Sequence, residues 1–405
     1  MPSLPFPTLL HRLNLSARAP ARRTRRRDPY SIPPEALLGR APVPPDPRLF
    51  ARCVSARQVL VTGAGGSIGS ELCRQIAALN PRALHLLDHS ELALYTVRQQ
   101  LASAFPDLTL HAHLGSVCQG PLVARIFAEA GIDTVYHAAA YKHVALVESN
   151  PAEGLRNNVL GAQVVASAAA RHGVRTCVLV SSDKAVRPSS VMGASKRISE
   201  LIFLAAAHQS QTTFSIVRFG NVLESSGSVV PLFRQQLARG GPLTVTDPEV
   251  TRYFMLIPEA AQLVIQAGAM AEGGEVFVLD MGEPVRIVDL ARRMIALCGL
   301  RERTPEQPDG DIAIRFIGLA PGEKLYEELL TANEAVPSSH PRILRAREPQ
   351  PAVPALEAAI ARLLAACDSN EAWRIAQLMR GLVGDFPAFA TRSEEVSACV
   401  PILRP

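Results

Sequence analysis

QVLVTGAGGSIG, residues 58–69, joins an apolar β-prone run to a glycine-rich turn and the start of an amphipathic helix. Beyond the turn, Ile68, Leu72, Ile76 and Leu79 recur at helical spacing. Glycines at such a junction permit a tight turn and let backbone N–H groups approach a pyrophosphate, whose charge the helix N-terminus stabilises. A glycine-rich string alone is weak evidence. Here Asp88 ends the next apolar run 19 residues beyond Gly69, where a carboxylate can accept hydrogen bonds from ribose hydroxyls. The stretch is therefore expected to bind a dinucleotide. An acid at position 88 opposes a 2′-phosphate, which favours NAD over NADP.

Outward from this turn, β-prone runs at 58–61, 83–87, 108–113, 134–137, 176–180, 214–218 and 275–279 alternate with helical stretches. That texture predicts βαβ units and an α/β fold with a doubly wound parallel sheet. The alternation loosens around 220–262 and 286–328, which predicts a smaller interleaved substrate lobe over the strand ends, where such sheets bind ligands. The expected organisation is a basic, proline-rich arm over 1–54, a main unit over 55–345 and a helical extension over 346–405. Within the main unit, the nucleotide-binding core is expected near 55–220 and 272–282, and the lobe near 221–271 and 283–345. Amphipathic segments near 355–366 and 371–382 predict the helices of the extension.

The 405-residue chain carries a net charge of +5, but residues 1–28 alone hold +6, so the remainder is −1. A nucleic-acid footprint would place basic groups over a folded face, so nucleic acid is not the expected partner. Eleven of the 32 prolines fall in the first 50 residues, which predicts an extended, poorly packed arm. Its apolar stretch followed by an arginine cluster suits contact with an anionic membrane surface; a solvated tail is the alternative reading. No run of about 18 apolar residues escapes charge or proline, and seven cysteines form no CxxC pair. The cytoplasm is the expected compartment, or the inner face of the membrane where the arm rests on it. The ten histidines show no ligand spacing, so no metal site is expected. His137 and His143, which flank the loop after the fourth run, are expected to pack or hydrogen-bond rather than transfer protons.

Only four of the 42 basic residues are lysine: Lys142, Lys184, Lys196 and Lys324. A lysine can lose its proton when desolvated and an arginine cannot, so these positions mark chemistry that a guanidinium will not serve. Ser182-Asp183-Lys184 directly follows the fifth run, at the sheet's carboxyl edge. A hydroxyl, a carboxylic acid and an amine in succession can orient a sugar hydroxyl, protonate a leaving group and remove a carbon-bound proton. A turn held by Asx and Ser hydrogen bonds is the plainer alternative. Met192 and Lys196 stand one helical turn apart on one face, where many dinucleotide oxidoreductases place a tyrosine at the first position.

These residues carry a family resemblance. The strings LLGRAPV (37–43), VTGAGGSIGSELCRQI (61–76), LLDHSE (86–91), HAAAYKHV (137–144), SSDKAV (181–186), MGASKR (192–197), RFGNVL (218–223), TRYFM (251–255), FVLDMGEPV (277–285) and PGEKLYEELL (321–330) occur in unbroken order. The chain thereby resembles the bacterial UDP-N-acetylglucosamine 4,6-dehydratases of polysaccharide biosynthesis, within the extended short-chain dehydrogenase/reductases (Rossmann fold). It is most similar to the subgroup with methionine in place of tyrosine, whose long members carry an N-terminal transmembrane region that this chain is expected to lack. The resemblance implies NAD held at the diphosphate by Gly63, Gly66, Ser67, Ile68 and Gly69, at the ribose by Asp88 and at the adenine edge by Ser116 and Val117. It further implies Ala138 and Ala139 beside the nicotinamide, Lys196 on the nicotinamide ribose, and Lys142, Asn221, Arg252 and Glu323 on the substrate side. The family usually shows arginine where Ala320 stands and glycine where Glu224 stands.

The implied reaction removes hydride from C4 and a proton from C5 of a UDP-N-acetylhexosamine, eliminates water across C5–C6 and returns the hydride to C6. A UDP-sugar substrate and a homo-oligomeric assembly are expected. Because Met192 cannot accept a proton, Asp183, supported by Ser182, is the expected acceptor for the C4 hydroxyl proton and donor to the C6 oxygen. Lys184 is then the expected base at C5, made neutral by desolvation or by the adjacent cation Lys196. Two other readings remain open at this point: a UDP-hexose 4-epimerase, which shares the first hydride step, and a catalytically silent NAD-sensing or scaffold protein.

Overall fold

The computed structural model describes residues 27–330, 335–346, 348–349 and 351–384. Nine strands form the main sheet: β1 (Gln58–Thr62), β2 (Ala83–Asp88), β3 (Leu110–Leu114), β4 (Thr134–His137), β5 (Thr176–Val180), β6 (Thr213–Arg218), β7 (Glu275–Leu279), β8 (Ala335–Pro337) and β9 (Ile343–Ala346). They lie in the order β8-β9-β7-β6-β5-β4-β1-β2-β3. β1 to β7 are mutually parallel, and β9 and then β8 add antiparallel pairs at one edge. β2, β4 and β5 are buried along their whole length, as parallel strands covered on both faces are.

Helices cover both faces. On one, helices Gly120–Ala130, Gly161–Arg171 and Val191–Gln209 bury Phe127, Val165 and Phe203 against Leu60, Val135 and Leu179. On the other, helices Ser67–Ala78, Glu91–Ala104 and Ile257–Met270 bury Leu72, Leu94 and Val264 against Val59, Val61 and Tyr136. The chain reverses direction across the sheet between β1 and β4, and ligands of doubly wound sheets bind at that switch point. A smaller core beside it gathers Phe233, Leu243, Leu290 and Met294 from helices Val229–Ala238 and Ile287–Leu297 and strand Leu243–Val245.

Three expectations need correction. Residues 28–54 are not an unpacked arm: Ile32, Leu37, Leu38 and Val54 are buried. Arg40 donates to both carboxylate oxygens of buried Glu259, at 2.6 and 3.1 Å, and the Val43 amide donates to the same group at 3.0 Å. Prolines stiffen this segment, but its side chains and carboxylate partner supply the packing. Helix Ile257–Met270, placed in the lobe from sequence, lies on the main sheet because it is apolar almost all round. Residues 335–337 and 343–345, also placed in the lobe, extend the sheet together with Ala346. The apolar and arginine-rich stretch 1–26, on which the membrane contact rests, lies outside the described residues. Among the described residues no helix is long and apolar enough to cross a membrane.

Candidate functional site

Two adjoining cavities, of about 720 Å³ and about 240 Å³, meet at Gly66, Ala138, Ala140 and Tyr141, over the carboxyl ends of β1, β4 and β5. The smaller is floored by the glycine-rich turn. Gly63 adopts φ +67°, and a Cβ there would fall 2.7 Å from the Ala139 backbone. A Cβ on Gly69 would lie 2.0 Å from the Gly63 carbonyl oxygen, so the helix can approach the turn only without one. Asp88 Oδ2 accepts the Gly65 amide and Oδ1 the Ser90 amide, each at 2.8 Å, which ties the carboxylate to the turn it serves. Gly115, Ser116 and Val117 close the far wall. A side-chain-free cradle, a helix N-terminus at Ser67 and a carboxylate one strand away together fit a dinucleotide.

All eleven residues expected at the cofactor line one cavity or the other. Gly63, Asp88, Ser116, Val117 and Ala139 face the smaller; Ser67, Ile68, Gly69 and Lys196 face the larger; Gly66 and Ala138 face both. Lys196 Nζ donates to the Val180 carbonyl at 2.9 Å. Burial lowers its pKa to about 8, with Glu200 one helical turn on opposing the fall. His137 donates or accepts with Thr62 Oγ1 at 2.7 Å and stacks on Phe203. Burial, reinforced by the Lys196 charge, lowers its pKa to about 3, so it stays a neutral packing group.

The substrate-side expectations divide. Lys142 and Asn221 line the large cavity, with Lys142 exposed at the rim yet desolvated enough for its pKa to fall. Arg252 and Glu323 do not line it: Arg252 Nη2 donates to Glu323 Oε1 at 3.0 Å, and the other Glu323 oxygen accepts the Ala320 amide. The pair braces the 321–330 segment instead. Glu224, where the resemblance implied glycine, sits at φ +64° and pairs with Arg234.

Ser182 and Lys184 line the cavity, whereas Asp183 is fully buried and does not. Asp183 Oδ1 accepts from Ser182 Oγ at 2.8 Å, Lys184 N at 2.9 Å and Lys184 Nζ at 3.1 Å; its Oδ2 has no partner. Met192 shares the cavity wall with Lys196, as their spacing predicts. The expectation of a neutral Lys184 is corrected here. Desolvation lowers its pKa, but the charges of Asp183 and of Glu327, 3.4 Å away, outweigh it and raise the pKa overall. Lys196 points to Val180 rather than at Lys184. Glu327 is a residue the sequence reading passed over, although it stands four positions beyond Glu323 in a string already singled out. Asn157 and Asn158 were missed as well. Asn158 donates to the Tyr141 carbonyl and Ser195 Oγ and accepts the Tyr141 amide, fixing the loop between the cavities.

A doubly wound sheet with this cradle and this acid–amine turn defines a nucleotide-binding enzyme fold of the extended short-chain dehydrogenase/reductase type. The model of the family described as polysaccharide biosynthesis protein matches residues 59–348, and the chain belongs to that family. It is 51% identical over 305 residues to capsular polysaccharide biosynthesis protein CapD of Staphylococcus aureus, covering 75% of this chain and 50% of CapD. The chain thus spans about half the length of that curated relative. A UDP-N-acetylglucosamine 4,6-dehydratase (inverting) of Campylobacter jejuni is 30% identical over 284 residues, 69% of this chain and 79% of that one. A UDP-glucose 4-epimerase of Rickettsia canadensis is 32% identical over 285 residues with the same two coverages. Among solved structures, a double mutant of DesIV, a dTDP-glucose 4,6-dehydratase of Streptomyces venezuelae with NAD bound, is 25% identical. It superposes with a TM-score of 0.58, covering 67% of this chain and 87% of that one.

Proposed function

We propose that the chain is an NAD-dependent nucleotide-sugar 4,6-dehydratase that converts a UDP-N-acetylhexosamine, UDP-N-acetylglucosamine first, to its 4-keto-6-deoxy product. The observation that carries this reading is the Ser182-Asp183-Lys184 turn opening on the same cavity as the glycine-rich cradle, with a thioether at position 192. NAD, when bound, supplies the hydride-accepting and hydride-returning chemistry. Gly63, Gly66, Ser67, Ile68 and Gly69 hold its diphosphate, Asp88 a ribose, Ser116 and Val117 the adenine edge, Ala138 and Ala139 the nicotinamide side, and Lys196 the nicotinamide ribose.

Ser182 presents the turn's hydroxyl to the sugar and donates it to Asp183 Oδ1 behind it, so proton movement at the C4 hydroxyl runs through Ser182 toward Asp183. Lys184 lines the cavity; once its own proton has passed to solvent it takes the C5 proton, and it returns a proton to C5 as hydride comes back to C6. Lys142 and Asn221, which both line the cavity, are the substrate contacts. Arg252 and Glu323 hold the lobe that closes over it rather than the sugar itself. An epimerase would need a proton acceptor where Met192 stands, which disfavours that reading despite the epimerase relative. Incubation with UDP-N-acetylglucosamine tests the proposal. A 6-deoxy product lighter by one water is expected, whereas a C4 epimer of unchanged mass would support the epimerase.

A further inference from the structure

One side chain of the 321–330 segment reaches Lys184, which lines the large cavity. The segment is anchored before Glu327, at Lys324 and Leu325, and after it at Glu328, which pairs with Arg187. Lys324 Nζ donates to the carbonyls of Val186 and Arg187 at 3.1 and 2.7 Å, while the Thr251 amide and Arg252 both donate to the Leu325 carbonyl, at 3.0 and 3.2 Å. Between these anchors Glu327 turns inward, its side chain 4% exposed. Its Oε1 lies 3.4 Å from Lys184 Nζ, and its Oε2 is buried without a hydrogen-bond partner. A buried carboxylate with an unmet oxygen is costly and persists only where its surroundings hold it in place. The Lys184 ammonium donates to Asp183 Oδ1 and Asn221 Oδ1, each at 3.1 Å, and pairs as an ion with Glu327 Oε1.

We propose that Glu327 is a positioning residue that holds the Lys184 amine at the cavity wall as a paired cation, freeing it to act as a base only when that pairing is broken. The catalytic consequence rests on the dehydratase reading; the pairing does not. The charged groups facing Lys184 are Asp183 from its own turn, Glu327 from the 321–330 segment and Arg252 from the short strand Thr251–Arg252. Both carboxylates favour the ammonium and the guanidinium opposes it. Removing one carboxylate at this range lowers an amine's pKa by about one unit or more.

With only four lysines in the chain, selective 13Cε-lysine labelling gives four side-chain signals to follow against pH in the full-length protein, that of Lys184 assigned by its loss in Lys184→Met. In the unaltered protein Lys184 is expected to titrate above the free-lysine value of about 10.4. In Glu327→Gln its midpoint is expected to fall by about one pH unit or more, with Lys142 unmoved, and Glu327→Asp to restore it in part. An unchanged midpoint in folded Glu327→Gln overturns the proposal. Should that variant not fold, a wild-type Lys184 midpoint below the free-lysine value overturns it, and one above supports it. In turnover, the acid limb of C5 proton exchange should move down with the Lys184 midpoint. If the unaltered chain exchanges no C5 proton of any UDP-sugar, the functional reading fails, while the titration still decides the pairing.

Discussion

The turn after β5 and the opening of helix Val191–Gln209 each send a lysine into the same cavity, and the two lysines are held in opposite electrostatic settings. Lys184 meets Asp183, Asn221 and Glu327, and its pKa rises above the ordinary lysine value. Lys196 meets only a carbonyl, and its nearest carboxylate, Glu200, is already claimed by Arg218 at 2.6 and 2.7 Å and by Arg197 at 3.0 Å. Its pKa falls to about 8. Burial is common to both. What separates them is whether a carboxylate is left over to pair with the amine, so the partner set rather than depth assigns the charge.

Four changes break or sharpen that contrast. On the proposed mechanism Lys184→Met removes the base assigned to C5 and should slow C5 exchange by about 10²–10⁴-fold while bound NAD is retained, as read by isotope exchange and by absorbance of the released cofactor. Glu200→Ala leaves Arg218 buried without its principal partner. A loss of about 3–5 kcal/mol in urea denaturation is expected, and in the folded fraction the Lys196 midpoint should drop below its starting value. Asp88→Ala frees the Gly65 and Ser90 amides and should weaken NAD by about tenfold in calorimetric titration, leaving the Lys184 midpoint unchanged. The fourth change is in pH rather than sequence, and it acts on acid stability. His137 and His85 are depressed by burial to about 3 and about 4. The unfolded chain therefore binds more protons than the folded one below about pH 6.5, and stability should fall from there toward pH 4. Melting curves at stepped pH check the sign.

Seven sheet strands were legible in the sequence because short β-prone runs alternate with helical stretches, most of those runs being buried and apolar, and the glycine-rich cradle was legible because residues 61–88 carry it locally. Contacts between distant positions were not. Glu327 lies 143 positions from Lys184, and nothing in the PGEKLYEELL string says which of its acids turns inward. Residues 28–54 look unpackable until Glu259, more than 200 positions on, supplies their partner. Antiparallel β8 and β9 are short and partly exposed, so they lack the apolar run that marks their neighbours. Asp183 was correctly placed in the turn, but a one-dimensional reading cannot tell that its side chain points beneath Gly220 and away from the cavity.

The claim that this site dehydrates a UDP-N-acetylhexosamine is tested most directly by turning over UDP-N-acetylglucosamine carrying deuterium at C4, in ordinary water and, unlabelled, in D2O. The account predicts a 4-keto-6-deoxy sugar in which the C4 label has moved to C6 without washing out, and in which solvent deuterium appears at C5. A C4 label lost to solvent, or returned to C4 in a product that keeps its C6 hydroxyl, would contradict it.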